Sequence, residues 1–285
     1  MKKLVIILGC FGTSLSAIFV RFADAPSGTL VIYRMLFSCL ALFIPVIKRV
    51  DEYKKLNFRD IAFSCLSGIF LGIHFFCYFE SLKYTSIAAS VSLVDTEVFF
   101  VVIFGSIFLN EKVSKRGWVF IGITFLGSVI VTLRDFASGS IRGDMLAILG
   151  AVCSCFYTLI GRKNREKMST VAYTFIVYFF AGLVVTVLSL GNGIKYYVLD
   201  INNILIALGM TVCCTLLGHS IYSWGLKYEK ASYISVVKLL EPVFSTSIGF
   251  LVLGEKPLGL CVVGCIIILY GITMLVASEP TNMDE

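Results

Sequence analysis

Five charged side chains lie deep inside apolar runs of this chain: Arg34, Asp95, Glu97, Lys238 and Glu241. A charge at the centre of a lipid-facing helix costs on the order of 2.5–3.5 kcal/mol, so such groups must face protein, ligand or water. There a carboxylate binds a proton or a cation, and a lysine or arginine binds an anion. Ser235, Lys238, Glu241 and Ser245 are spaced by three, three and four residues, which predicts one polar stripe on a helix. Pro242 removes a backbone donor beside Glu241 and predicts a kink or loosened turn. In the other acidic run, Ser92 and Asp95 share one helical face, and Ser86, Ser90 and Glu97 share another. Three acids cannot pair one to one with two bases, so an acid is left to hold a proton or to meet a cation. The competing reading is structural: Lys238 pairs with Glu241 at i,i+3, or with Asp95 across a helix interface, and only neutralises a buried charge.

Other candidates are weaker. Arg34 either binds an anionic group or snorkels from near a helix end. His74 and His219 each have a tyrosine within one turn, Tyr78 and Tyr222, and serve either helix packing or substrate contact. Glu80 and Lys83 read as an i,i+3 pair, and Trp118 and Trp224 as interfacial aromatics. The ten cysteines all fall in apolar runs as small fillers, and their spacing suits no metal site. No catalytic nucleophile or cofactor motif is recognisable.

The elements that carry these groups follow from hydropathy. With 58% hydrophobic residues, 15% charged residues and a mean hydropathy of +0.92, the composition is that of a protein built for the lipid bilayer. Ten runs are predicted to span it: 4–20, 28–47, 61–82, 85–109, 117–133, 145–161, 169–191, 201–226, 231–253 and 257–277. The net charge of +6 does not point to nucleic acid, because the basic residues are sorted by loop. With the N-terminus inside, sixteen fall on the cytoplasmic side and six outside (Arg21, Lys83, Arg134, Arg142, Lys195 and Lys256). Both termini are therefore expected in the cytoplasm. A lipoprotein-type signal ending at Cys10 is disfavoured, since only six apolar residues precede it. Gly68 and Gly72, spaced GxxxG, predict a close helix contact, and glycines in the fifth and tenth runs suit either a homodimer or internal packing.

Shifted by 144 positions, the second half repeats the first: Tyr78, Leu82, Lys83 and Tyr84 meet Tyr222, Leu226, Lys227 and Tyr228. Glu97 then meets Glu241, Gly105 meets Gly249, and Glu111-Lys112 meets Glu255-Lys256. The chain is read as two copies, 1–137 and 138–285, of five helices each. An odd number inverts the second copy, as in carriers whose site lies between the halves.

These features together resemble the EamA branch of the drug/metabolite transporter superfamily, over nearly the whole chain. The resemblance rests on the ten-helix duplication, Leu8-Gly9-Cys10-Phe11-Gly12-Thr13-Ser14, Arg34, Leu109-Asn110-Glu111, Leu253-Gly254-Glu255 and Glu241-Pro242. It implies an all-α fold around a central cavity, and transport of a small-molecule metabolite across a bacterial inner membrane, often amino-acid export. The chain departs from the family pattern in Val98, where a proline is frequent, and in its acidic Asp95-Thr96-Glu97. The expected function is that of a carrier, not an enzyme. Lys238 and Arg34 would receive a carboxylate, Glu241, Glu97 and Asp95 an ammonium group or a coupling proton, with His74, Tyr78, His219, Tyr222 and Ser14 as further substrate contacts. Lys238→Ala is then expected to abolish flux and leave the protein folded.

Overall fold

In a computed structural model the chain is an all-α membrane bundle, described over residues 1–84, 87–132, 140–191, 200–254 and 259–278. Ser86, Arg134, Lys195, Glu255 and Lys256, named above, lie outside the described residues. The helices are α1 (Lys2–Ser14), α2 (Ser16–Arg21), α3 (Ser27–Ile47), α4 (Val50–Lys54), α5 (Phe58–Ser81), α6 (Ile87–Asp95), α7 (Glu97–Phe108), α8 (Lys115–Thr132), α9 (Ile141–Asn164) and α10 (Thr170–Gly191). They continue with α11 (Ile201–Met210), a π-helical segment (Thr211–His219), α12 (Ser220–Gly225), α13 (Ala231–Lys238), α14 (Glu241–Leu253) and α15 (Gly259–Ser278).

Nine helical stretches among the described residues are long and apolar enough to cross a membrane. The remaining predicted span, the fifth run 117–133, is helical as α8 but is not one of the nine, and its end runs past the described residues. Its counterpart under the 144-residue shift, α15, does qualify, and the two helices pack along each other.

The helix contacts follow the same shift. α5 packs on α9, while α1 packs on the π segment and α12, which is the shifted image of that contact. α3 packs on α10, its own counterpart under the shift, and α7 packs on α13, the counterpart of α6.

Glycines set the close approaches. A Cβ on Gly68 would lie 2.6 Å from the Val177 carbonyl oxygen, and one on Gly72 would lie 2.8 Å from that of Ala181, so the GxxxG face is pressed against α10. Gly127 and Gly264 meet each other's helices in the same way, at 2.8 Å from backbone atoms. These glycines of the fifth and tenth runs thus serve internal packing.

Two predicted helices are broken. The run 85–109 divides between α6 and α7 at Thr96, and the run 231–253 divides between α13 and α14 at Leu239-Leu240. The breaks coincide under the shift of 144. Pro242 accounts for the second, since it can occupy the first turn of a new helix but cannot donate to a continuing one. The first occurs without proline, so what the positions share is the acid that opens the next helix, Glu97 or Glu241.

The helix-end motifs also correspond in backbone. Asn110 has φ 55° and Gly254 φ 68°, the left-handed conformation that ends a helix and that only glycine and, at some cost, asparagine adopt readily. Asn110→Gly is expected to be neutral or stabilising and Asn110→Ala to cost about 1 kcal/mol. Thermal unfolding of the two variants in one detergent checks the order.

A charge cluster at the paired helix breaks

The breaks place polar groups from both halves of the sequence together. At the start of α7, Glu97 is buried and accepts from the Lys238 ammonium, with Nζ 2.9 Å from Oε1 and 3.1 Å from Oε2. Ser154 Oγ donates to Glu97 Oε2 at 2.6 Å and Thr158 Oγ1 to Oε1 at 3.0 Å. These two hydroxyls are one turn apart on α9, so a single helical face completes the carboxylate shell. Lys238 also lies 5.8 Å from the Tyr222 ring centroid.

This geometry corrects two expectations. The partner of Lys238 is Glu97 of the other copy, not Glu241 or Asp95. Nor do Ser235, Lys238, Glu241 and Ser245 form one stripe, because the break turns Lys238 and Glu241 toward different partners. Ser235 and Ser245 donate to the backbone of their own helices, at Ala231 O and Glu241 O.

Glu241 instead accepts from Thr13 Oγ1 at 2.7 Å and, at 3.5 Å, from the Tyr222 hydroxyl. α1 reaches it because Gly12 lets α1 lie against the π segment, where a Cβ would be 2.6 Å from the Cys213 carbonyl oxygen. Asp95, last residue of α6, accepts from Ser128 of α8. Among the described residues neither Glu241 nor Asp95 makes an ion pair.

The remaining candidates separate clearly. His74 Nδ1 is 3.0 Å from the Gly150 carbonyl oxygen and its ring stacks on Tyr78, so a backbone partner satisfies it. His219 has no partner at Nδ1 among the described residues. Arg34 does not snorkel: it is 2% exposed, and its Nε donates to Thr215 Oγ1 at 2.6 Å. Ser14 is buried and donates to Cys10 O, so its hydroxyl is spent on its own helix. Glu80 and Lys83 do pair. Lys238, Glu241, Asp95, His74, Tyr78 and His219 all keep part of their surface accessible, whereas Glu97 and Arg34 are buried.

At one end of the bundle, Glu111 joins the copies a second time. Its carboxylate accepts from Arg162 Nε at 2.6 Å and from the Ala231 amide at 2.8 Å, capping α13, while Arg162 Nη1 donates to Leu226 O at 3.0 Å. Glu111→Ala removes a cap and an ion pair at once and is expected to cost about 1–2 kcal/mol, with Glu111→Gln in between. Denaturant titration of both variants would test this, and equal losses would show that charge contributes nothing.

Sequence comparison completes the assignment. The model of the EamA-like transporter family matches residues 2–133 and again 141–277. The chain belongs to this family. The EamA-like transporter described here is similar to an uncharacterized transporter of Clostridium kluyveri, at 26% identity over 83% of this chain and 79% of the relative. It is also similar to the pseudopaline exporter of Pseudomonas aeruginosa, at 22% identity over 93% of this chain and 92% of the exporter. A solved crystal structure shares its fold, with a TM-score of 0.77 at 16% identity and 97% of each chain covered. The protein is a multi-pass membrane transporter.

Thr13, Ser128, Ser154, Thr158 and Thr215 were not singled out from the sequence. The i,i+4 hydroxyls of Ser154 and Thr158 in an apolar run were a usable signal. Thr13 stood in the quoted Leu8–Ser14 stretch without a role of its own, and Ser128 and Thr215 are single hydroxyls with no local pattern.

Proposed function

We propose that this transporter is a secondary carrier that exports a small polar metabolite, an amino acid or a close relative of one, by alternating access of its two copies. The observation that carries the reading is the Glu97–Lys238 pair, which joins the two copies at the paired helix breaks. A pair held between halves can be exchanged for contacts to a solute as the halves rock, which is how inverted repeats give access to each side in turn. The exporter name of the Pseudomonas relative supports the direction. The reading places the protein in the bacterial inner membrane with both termini in the cytoplasm. Glu241 and Asp95 are the groups available to a coupling proton, since neither is committed to a base among the described residues.

The test is counterflow of labelled amino acids in proteoliposomes, with and without a pH gradient. Saturable flux of a zwitterion that is lost in Glu241→Gln and driven by the gradient supports the reading. Flux confined to sugars or nucleosides moves the solute class and leaves the carrier, and recovery of a chemically altered solute overturns it in favour of an enzyme.

A further inference from the structure

We infer that Arg34 and His219 together form a receptor for a carboxylate group, separate from the Glu97–Lys238 pair, so that the solute of the proposed carrier is an organic acid or amino acid held by its carboxylate. The inference rests on the carrier reading for the solute's transport but not for its binding.

Three observations converge on it. First, Lys238 is already neutralised by Glu97 and is not the free cation of the cluster. Arg34 is that cation: among the described residues it has no carboxylate within ion-pair distance, and its Nη2 is buried without a partner. Second, His219 Nδ1 is another buried polar atom without a partner among the described residues. Third, both lie against one ring. The Arg34 guanidinium lies 5.2 Å from the Phe75 ring centroid, and the His219 ring meets the same ring edge-on at 5.5 Å.

A buried donor left unmade is costly, and a buried guanidinium without an anion more so. The Thr215 hydroxyl fixes the guanidinium through Nε, and Thr215 and His219 are both placed by the π segment, a backbone irregularity frequent at functional sites. A carboxylate lodged between them would satisfy both groups, one oxygen accepting from Arg34 Nη2–H and the other from His219 in the tautomer protonated at Nδ1. Tyr157 and Tyr222, with ring centroids 6.4 and 6.1 Å from His219, extend the aromatic wall to which the rest of the solute would be exposed.

The experiment has two independent arms. In the first, purified wild type, Arg34→Leu and His219→Phe are unfolded thermally in detergent with acetate, a panel of amino acids, the same amino acids as amides, and inorganic phosphate. The expected result is a rise in the wild-type midpoint with carboxylates, none with amides, no response in Arg34→Leu and an affinity at least tenfold weaker in His219→Phe. Arg34→Leu removes a buried charge without a counter-ion; should it fail to fold, the His219→Phe result decides alone. Equal response to amides and carboxylates, response to phosphate only, no wild-type response, or a carboxylate response that survives Arg34→Leu would each overturn the receptor. The second arm is counterflow of the same panel. Flux whose carboxylate preference survives Arg34→Leu overturns the receptor and leaves the carrier. Carboxylate stabilisation lost in Arg34→Leu, with no flux of any compound, sustains the receptor and overturns the carrier.

Discussion

Lys238→Met should cost about 3–5 kcal/mol of stability, and adding Glu97→Gln should restore most of it. The reason is the asymmetry of buried ion pairs. Together Glu97 and Lys238 offset each other's desolvation, whereas either alone is an uncompensated charge in a largely buried site. Glu97 has a side-chain exposure of only 7% and Lys238 of 15%, so water does little to replace the lost partner. In the double variant one of the Ser154 and Thr158 hydroxyls, which donate to different oxygens of Glu97, still donates to the glutamine carbonyl oxygen, and the other can accept from its amide NH2, leaving few polar groups unmet. Denaturant titration of the four members of this cycle gives the coupling directly. A double variant no more stable than Lys238→Met would mean that the two charges are not coupled. The same geometry revises the expectation that Lys238→Ala leaves the protein folded: loss of flux in that variant would mix lost binding with lost structure, and the double variant separates them.

Gly68→Val should be the most disruptive single change on the α5 face. Any Cβ there comes within 2.6 Å of the Val177 carbonyl oxygen and 2.8 Å of Phe180 Cβ, and the first obstacle is backbone, which cannot rotate away. Overpacking of this kind costs about 1–3 kcal/mol and more where a helix must shift as a body. The shift would reach the charge cluster, because α10 also carries Tyr178, whose hydroxyl is 2.9 Å from Ser220 Oγ beside His219, and packs on α3, which carries Arg34. Gly122 is the matched control. A Cβ there meets nothing within 4 Å, so Gly122→Ala should be neutral or gain the roughly 0.5–1 kcal/mol of helix propensity. Thermal unfolding and yield of folded protein compare the pair, and similar values would show that the α5–α10 contact has room to give.

What the sequence determined by itself is what depends on neighbours along the chain. The spans are set by runs of apolar residues, and nine were recovered among the described residues. The 144-residue register is one of residue identities, and Glu97 and Glu241, which match in it, each open a helix. The left-handed ends at Asn110 and Gly254 follow from local backbone sterics. The GxxxG contact was legible as a close approach, though not that α10 is its partner.

What the tertiary structure decided is which groups meet across helices. Spacing of three or four residues names only neighbours on the same helix, so it suggested Glu241 for Lys238, whereas the actual partner lies 141 residues away. It also treated His74 and His219 alike, although only His74 finds a carbonyl in reach. The break at Thr96 has no proline to announce it. A buried charge takes its partner from whatever packing brings within about 3 Å, and packing is fixed by glycine faces and helix breaks acting together across the whole bundle.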